Sequence, residues 1–140
     1  MKIPLLLSFR VLCLVLLLGG QLSSVLASSG EGGGNSLYFP IEKPFVVNLA
    51  GSADHLTYLQ VNVQLKLKKA DLKTPLQAQL PAIEHTMVML LSDQTVNDIK
   101  SVQGKQTLRE AALKSLQTLC QNLIGDPAID DVYFTGFIIQ

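Results

Sequence analysis

The residues with which this chain could do chemistry are few: His55, His85, Cys13, Cys120, the pair Asp130-Asp131 and the run Gly32-Gly33-Gly34. The pattern predicts His55 in a turn and His85 on a helix. Neither stands at metal-ligand spacing from another His, Cys or carboxylate. Glu84 and His85 are adjacent, so a helix points them to different faces, and His85 reads as solvated. Asp130-Asp131 precedes a strand and reads as a solvated turn rather than a cation site. The glycine run lacks both the preceding strand and the following Lys-Ser of a phosphate loop. The serines have no His and Asp in a recognisable catalytic frame. Catalysis needs convergent titratable groups. The sequence therefore predicts no catalytic residue, no metal site and no cofactor, and points to a binding module rather than an enzyme.

Bulk charge excludes a further class. Lys and Arg number 11, as do Asp and Glu, so the formal net charge is zero. Nucleic-acid binding wants a clustered basic surface, which is missing here. Of the two cysteines, Cys13 lies near the N-terminus, so Cys120 stands alone in the remainder and no intramolecular disulfide framework is expected. Set among Leu119, Leu123 and Ile124, Cys120 is expected to behave as a small buried apolar residue.

Residues 1–27 form a leader. Lys2 and Arg10 supply positive charge, Val11 to Leu18 are uninterruptedly apolar, and Gly19, Gly20, Ser23, Ser24, Ala27 and Ser28 are small. This is the order of a secretory signal, with cleavage predicted after Ala27. The alternative is an uncleaved inner-membrane anchor, since a span from Val11 to Ala27 is just long enough to cross at about 17 residues. Either way the positive charges stay cytoplasmic and the rest of the chain is exported. Residues 28–39, opening with SSGEGGGNS, are expected to be a flexible linker, and residues 40–140 a single domain.

The elements that must position any site follow from patterning. Phe45-Val-Val-Asn-Leu49 is a short β-rich run entered through Pro40 and Pro44. Leu59, Val61, Val63, Leu65 and Leu67 alternate with Gln60, Asn62, Gln64, Lys66 and Lys68, which predicts a strand with one dry face. The two runs should pair as an antiparallel hairpin, and the dry face needs a helical layer. Leu76, Leu80, Ile83, Met87, Leu90 and Leu91 form one helical stripe, with Thr74 as N-cap and Pro81 marking a kink or a new start. Asp93 to Ile99 suggest a short helical turn. A long helix over Ser101 to Ile124 carries the stripe Leu108, Ala112, Leu116, Leu119 and Leu123, and Gly125-Asp126-Pro127 stops it.

Val132 to Ile139 is aromatic and β-branched without clean alternation, which predicts a central strand covered on both sides or in part by a partner chain. The reading is an α+β fold: an antiparallel sheet of three to four strands on two to three helices, in the order β-β-α-α-β. The terminal strand presents Tyr133, Phe134 and Phe137. Either both of its faces are buried within the chain, or these three form an oligomer or partner surface.

These residues also carry a resemblance. Pro44-Phe45-Val46-Val47-Asn48-Leu49, then Tyr58-Leu59-Gln60-Val61-Asn62-Val63-Gln64-Leu65, then Pro81-Ala82-Ile83 leading to Leu90-Leu91-Ser92, recur in order. Gly104-Lys105 with Leu108-Arg109 follow, and Val132-Tyr133-Phe134-Thr135-Gly136-Phe137-Ile138-Ile139-Gln140 close the chain. In this order the blocks resemble the FliL family of flagellar basal-body-associated membrane proteins. The resemblance implies a periplasmic domain akin to the stomatin/SPFH fold, at the inner membrane through its N-terminal segment, assembling as a ring-like homo-oligomer around the motor. It further implies stator and basal-body partners, support of flagellar rotation and motility, no catalysis, no cofactor and no nucleic acid. The competing expectation is a periplasmic adaptor unrelated to motility, soluble after cleavage near Ala27, that grips a partner at a sheet edge.

Overall fold

The computed structural model describes residues 36–50 and 56–140. All described residues belong to one compact unit, bounded at Gly32 and Gln140. The predicted leader, most of the linker, and the turn holding His55 lie outside the described residues.

The long alternating run is strand β3, Tyr58–Leu67, and it organises the sheet. Strands β1, Tyr38–Pro40, and β2, Phe45–Asn48, both pair with it antiparallel. Tyr38–Pro40 lie opposite Lys66–Gln64, and Phe45–Asn48 opposite Val61–Tyr58. The two short strands therefore share one edge of β3 end to end. Strand β4, Ile129–Ile139, runs antiparallel along the whole of the other edge, from Leu59↔Ile139 to Leu67↔Ile129. The fold is α+β, with a four-stranded antiparallel sheet.

Two expectations change here. Tyr38 and Phe39, expected within the 28–39 linker, form a strand with Pro40, and Phe39 is buried. Three residues, the last of them a proline, give too short a pattern to read as a strand. More consequentially, among the described residues β4 is an edge strand and β3 is the central one. The missing alternation has another cause. Register shifts between Asn62 and Val63, and between Lys66 and Leu67, leave Thr135 and Asp130 as extra residues on β4. Each bulge resets the period-two pattern. Cross-strand partners share a face, so Ile129, Val132, Phe134, Phe137 and Ile139 all lie on the side of Leu67, Leu65, Val63, Val61 and Leu59.

That side is the core. Leu59, Val61, Leu65 and Leu67 are fully buried and Val63 nearly so. Burying such side chains is worth about 1.5–3 kcal/mol each. The helices supply the covering layer, after a 3-10 turn at Ala70–Leu72. They are α1, Lys73–Ala78; α2, Leu80–Ser92; α3, Val96–Ile99; and α4, Val102–Ile124. Leu76, Ile83, Met87, Leu91 and Ile99 are fully buried. Pro81 occupies the first turn of α2, where its missing N–H costs nothing. Thr74 is not a cap: it lies inside α1, whose N-cap is Leu72, because the preceding 3-10 turn starts the coil earlier.

In α4 the buried stripe is Leu108, Ala112, Leu116 and Cys120, strictly every fourth residue, while Leu123 is exposed. Leu123 falls off the stripe because the straight i+4 row continues through Cys120. Gly125 ends the helix at φ 75°, a left-handed cap that favours glycine. Asp126 Oδ1 then accepts from the Ala128 N–H at 2.7 Å, and the chain turns into β4.

Candidate binding groove

The N-terminal half of α4 fixes the groove wall. Ser101 is its N-cap, and its Oγ accepts from the Gly104 N–H at 2.9 Å. The first turn packs tightly on the end of α3: a Cβ added at Gly104 would lie 1.7 Å from the Asp98 carbonyl oxygen. Only glycine permits that approach. Thr95 and Asp98 close a capping box at the start of α3, with the Asp98 carboxylate accepting from the Thr95 N–H at 3.0 Å and from its hydroxyl at 2.6 Å. These two bonds from Thr95 hold the Asp98 carboxyl below its usual range.

Opposite α4 stands β4. Between them is a groove of about 450 Å³ lined by Val102, Lys105, Gln106, Arg109, Tyr133, Phe134 and Phe137. The three aromatic residues singled out in the sequence therefore border one concavity, though not in the same way. Phe134 and Phe137 register with Val63 and Val61 on the helix-covered side, with ring centroids 5.8 Å apart. Tyr133 registers with Gln64 on the open side, and its ring meets Tyr38 at 6.1 Å. Removal from water, then the neighbouring Asp131 carboxylate, pushes the Tyr133 phenol up.

Two cations face the groove. The Lys105 ammonium sits 4.9 Å over the Phe137 ring. Arg109 holds the Asp131 carboxylate through a short contact from its guanidinium, and its Nε donates to Gln106 Oε1 at 3.1 Å. On the open face Lys66 pairs with Asp130 at 2.7 Å, which raises the lysine and lowers the carboxyl. The acidic pair is thus engaged by two different cations rather than forming a solvated turn. His85 is exposed on α2, and Cys120 is buried, with desolvation pushing its thiol up. Among the described residues no group of three His, Cys, Asp or Glu could hold a metal, and no helix is long and apolar enough to cross a membrane.

The helical half of the groove was not singled out in the sequence. Its signal was present: 102, 105, 106 and 109 are spaced as one helix face. Because Val102, Lys105, Gln106 and Arg109 are mixed in polarity, an apolar stripe search passes over them.

The chain is thus a small α+β domain with one sheet face under helices and a groove beside β4. Residues 38–140 match the family described as "Flagellar basal body-associated protein FliL", and the chain belongs to that family. It is similar to a curated relative named "Flagellar protein FliL" from Aquifex aeolicus (strain VF5), 26% identical over 104 residues. That alignment covers 74% of this chain and 62% of the relative, so the chain spans somewhat less than two thirds of the relative's length.

Proposed function

We propose that this chain is a flagellar basal body-associated protein that supports stator function and rotation by binding, without catalysis and without a cofactor. Its domain faces the periplasm, at the inner membrane through the 1–27 segment or free of it after cleavage near Ala27, on the linker that follows. It assembles with copies of itself around the motor, with an SPFH-like domain as the repeating unit. The observation that carries this reading is the extent of the family match, which begins where β1 begins, at Tyr38, and ends on Gln140. The whole sheet and its aromatic free edge lie within the matched region.

Photocross-linking in cells tests it. A photoreactive phenylalanine analogue at Phe137 should give adducts with stator or basal-body proteins. Adducts confined to proteins outside the motor would favour the adaptor reading instead. N-terminal sequencing of the protein from fractionated cells addresses the leader: a start at Ser28 in the soluble periplasm means cleavage, and a retained Met1 in the membrane fraction means an anchor.

A further inference from the structure

We propose that the groove between α4 and the free edge of β4 takes an extended segment of another polypeptide, carrying apolar and acidic side chains at alternate positions. The proposal names a chemistry, not a motor component, and stands whether or not the flagellar reading holds.

Tyr58 and Gln140 exchange both backbone bonds, at 2.6 and 3.0 Å, so Gln140 aims its N–H and C=O inward to β3. Backbone groups alternate in direction along an antiparallel strand, so Ile139 and Phe137 aim theirs outward. Odd-numbered β3 residues serve the opposite edge, as the bond from the Ile41 N–H to the Val63 carbonyl at 3.0 Å shows. The outward groups near the start of β4 are capped: Gln117 Nε2 donates to the Ile129 carbonyl at 2.8 Å, and the Val132 N–H donates to Asp131 Oδ1 at 2.8 Å. No such cap reaches Phe137 or Ile139 among the described residues. Natural edges are usually blunted along their length. Here the blunting stops where the groove begins.

Side chains set the occupant. A strand added beside Phe137 and Ile139 would send every second side chain under α4. There it meets the rings of Phe134 and Phe137 and the 87% exposed Val102, which suit an apolar group. It also meets Lys105, which forms no ion pair among the described residues, and Arg109, whose carboxylate partner is Asp131. Among the described residues the groove lining holds no carboxylate and two cations, of which Lys105 is the one outside an ion pair. Charge complementarity therefore calls for acid in the added strand. The volume lies in the range of pockets that hold small ligands or a few side chains.

The test uses the purified full chain and two fluorescein-labelled peptides, one of Thr-Leu-Thr-Glu repeats and one of Thr-Leu-Thr-Lys repeats, in fluorescence anisotropy. The Glu peptide should bind at least about tenfold tighter than the Lys peptide, roughly one step of the affinity scale. Lys105→Glu should abolish or reverse that preference, and Ile139→Pro, which removes an outward N–H, should weaken both peptides. Because the peptide charge swap needs no protein variant, it decides even if a variant misfolds. Equal affinities, or no binding of either peptide, would overturn the proposal. So would sedimentation showing that the wild-type chain self-associates and that Lys105→Glu makes it monomeric, which would give the groove to a second copy.

Discussion

Replacing Gly104 by alanine should destabilise the domain, against the ordinary rule for helices. Inside a helix, alanine is favoured over glycine by up to about 1 kcal/mol. Here the new Cβ would lie 1.7 Å from the Asp98 carbonyl oxygen and 2.8 Å from its carbon. A comfortable carbon–oxygen approach is about 3.3 Å, so the first turn of α4 must retreat by roughly 1.5 Å. Both obstructing atoms are backbone, so no side chain can swing away. Overpacking of this kind costs about 1–3 kcal/mol. Movement of the turn also strains the 2.9 Å Ser101 cap, whose loss costs about 1 kcal/mol. Against the propensity gain, the net loss is about 1–3 kcal/mol. Urea unfolding followed by circular dichroism should show the midpoint falling by roughly 1 M, given the usual slopes. Gln103→Ala, exposed in the same turn, should stay within about 0.5 kcal/mol of wild type. A Gly104→Ala midpoint equal to or above wild type would refute the close helix–helix approach that sets the groove wall.

Asp98 should make the α3 cap sensitive to acid. Its carboxyl is lowered by the hydrogen bonds from Thr95, so its contribution is present above the ordinary carboxylate range and is lost as pH falls through the lowered folded value. Asp98→Asn should therefore be less stable than wild type at neutral pH, and the gap should close on acidification; a gap independent of pH in urea titrations would contradict this. Cys120 is buried with its thiol pushed up, so it should resist iodoacetamide at mildly alkaline pH in the native protein and react once urea unfolds the chain. Peptide mapping separates it from Cys13, and rapid native alkylation at Cys120 would argue against the packing of α4 on the sheet.

What the sequence disclosed depended on how regular each pattern was. Strand β3 alternates without interruption over its ten residues, and its buried face was legible residue by residue. Helix α4 was legible to within one residue at its start, because Ser101 and Gly125 mark both ends chemically. Strand β4 was recognised as a strand but misplaced within the sheet. Its two bulges give the buried residues spacings of 3, 2, 3 and 2, and that irregularity looks like burial on both faces. β1 was missed because three residues offer no period. At the site, Tyr133, Phe134 and Phe137 stood out as aromatic excess. Their division between two sheet faces could not be read without the position of Thr135 as a bulge. The helical wall escaped because Lys105 and Arg109 look like ordinary solvated charges until Phe137 and Asp131 are placed beside them.

The central claim, that this domain serves the flagellar motor by binding, is tested most directly by deleting the gene and measuring swimming and swarming in media of rising viscosity. Motility should fall behind wild type as load increases, and the wild-type chain should restore it where a variant with Phe134 and Phe137 both changed to Asp should not. Deletion cells that swim and swarm as wild type does at every load would contradict it.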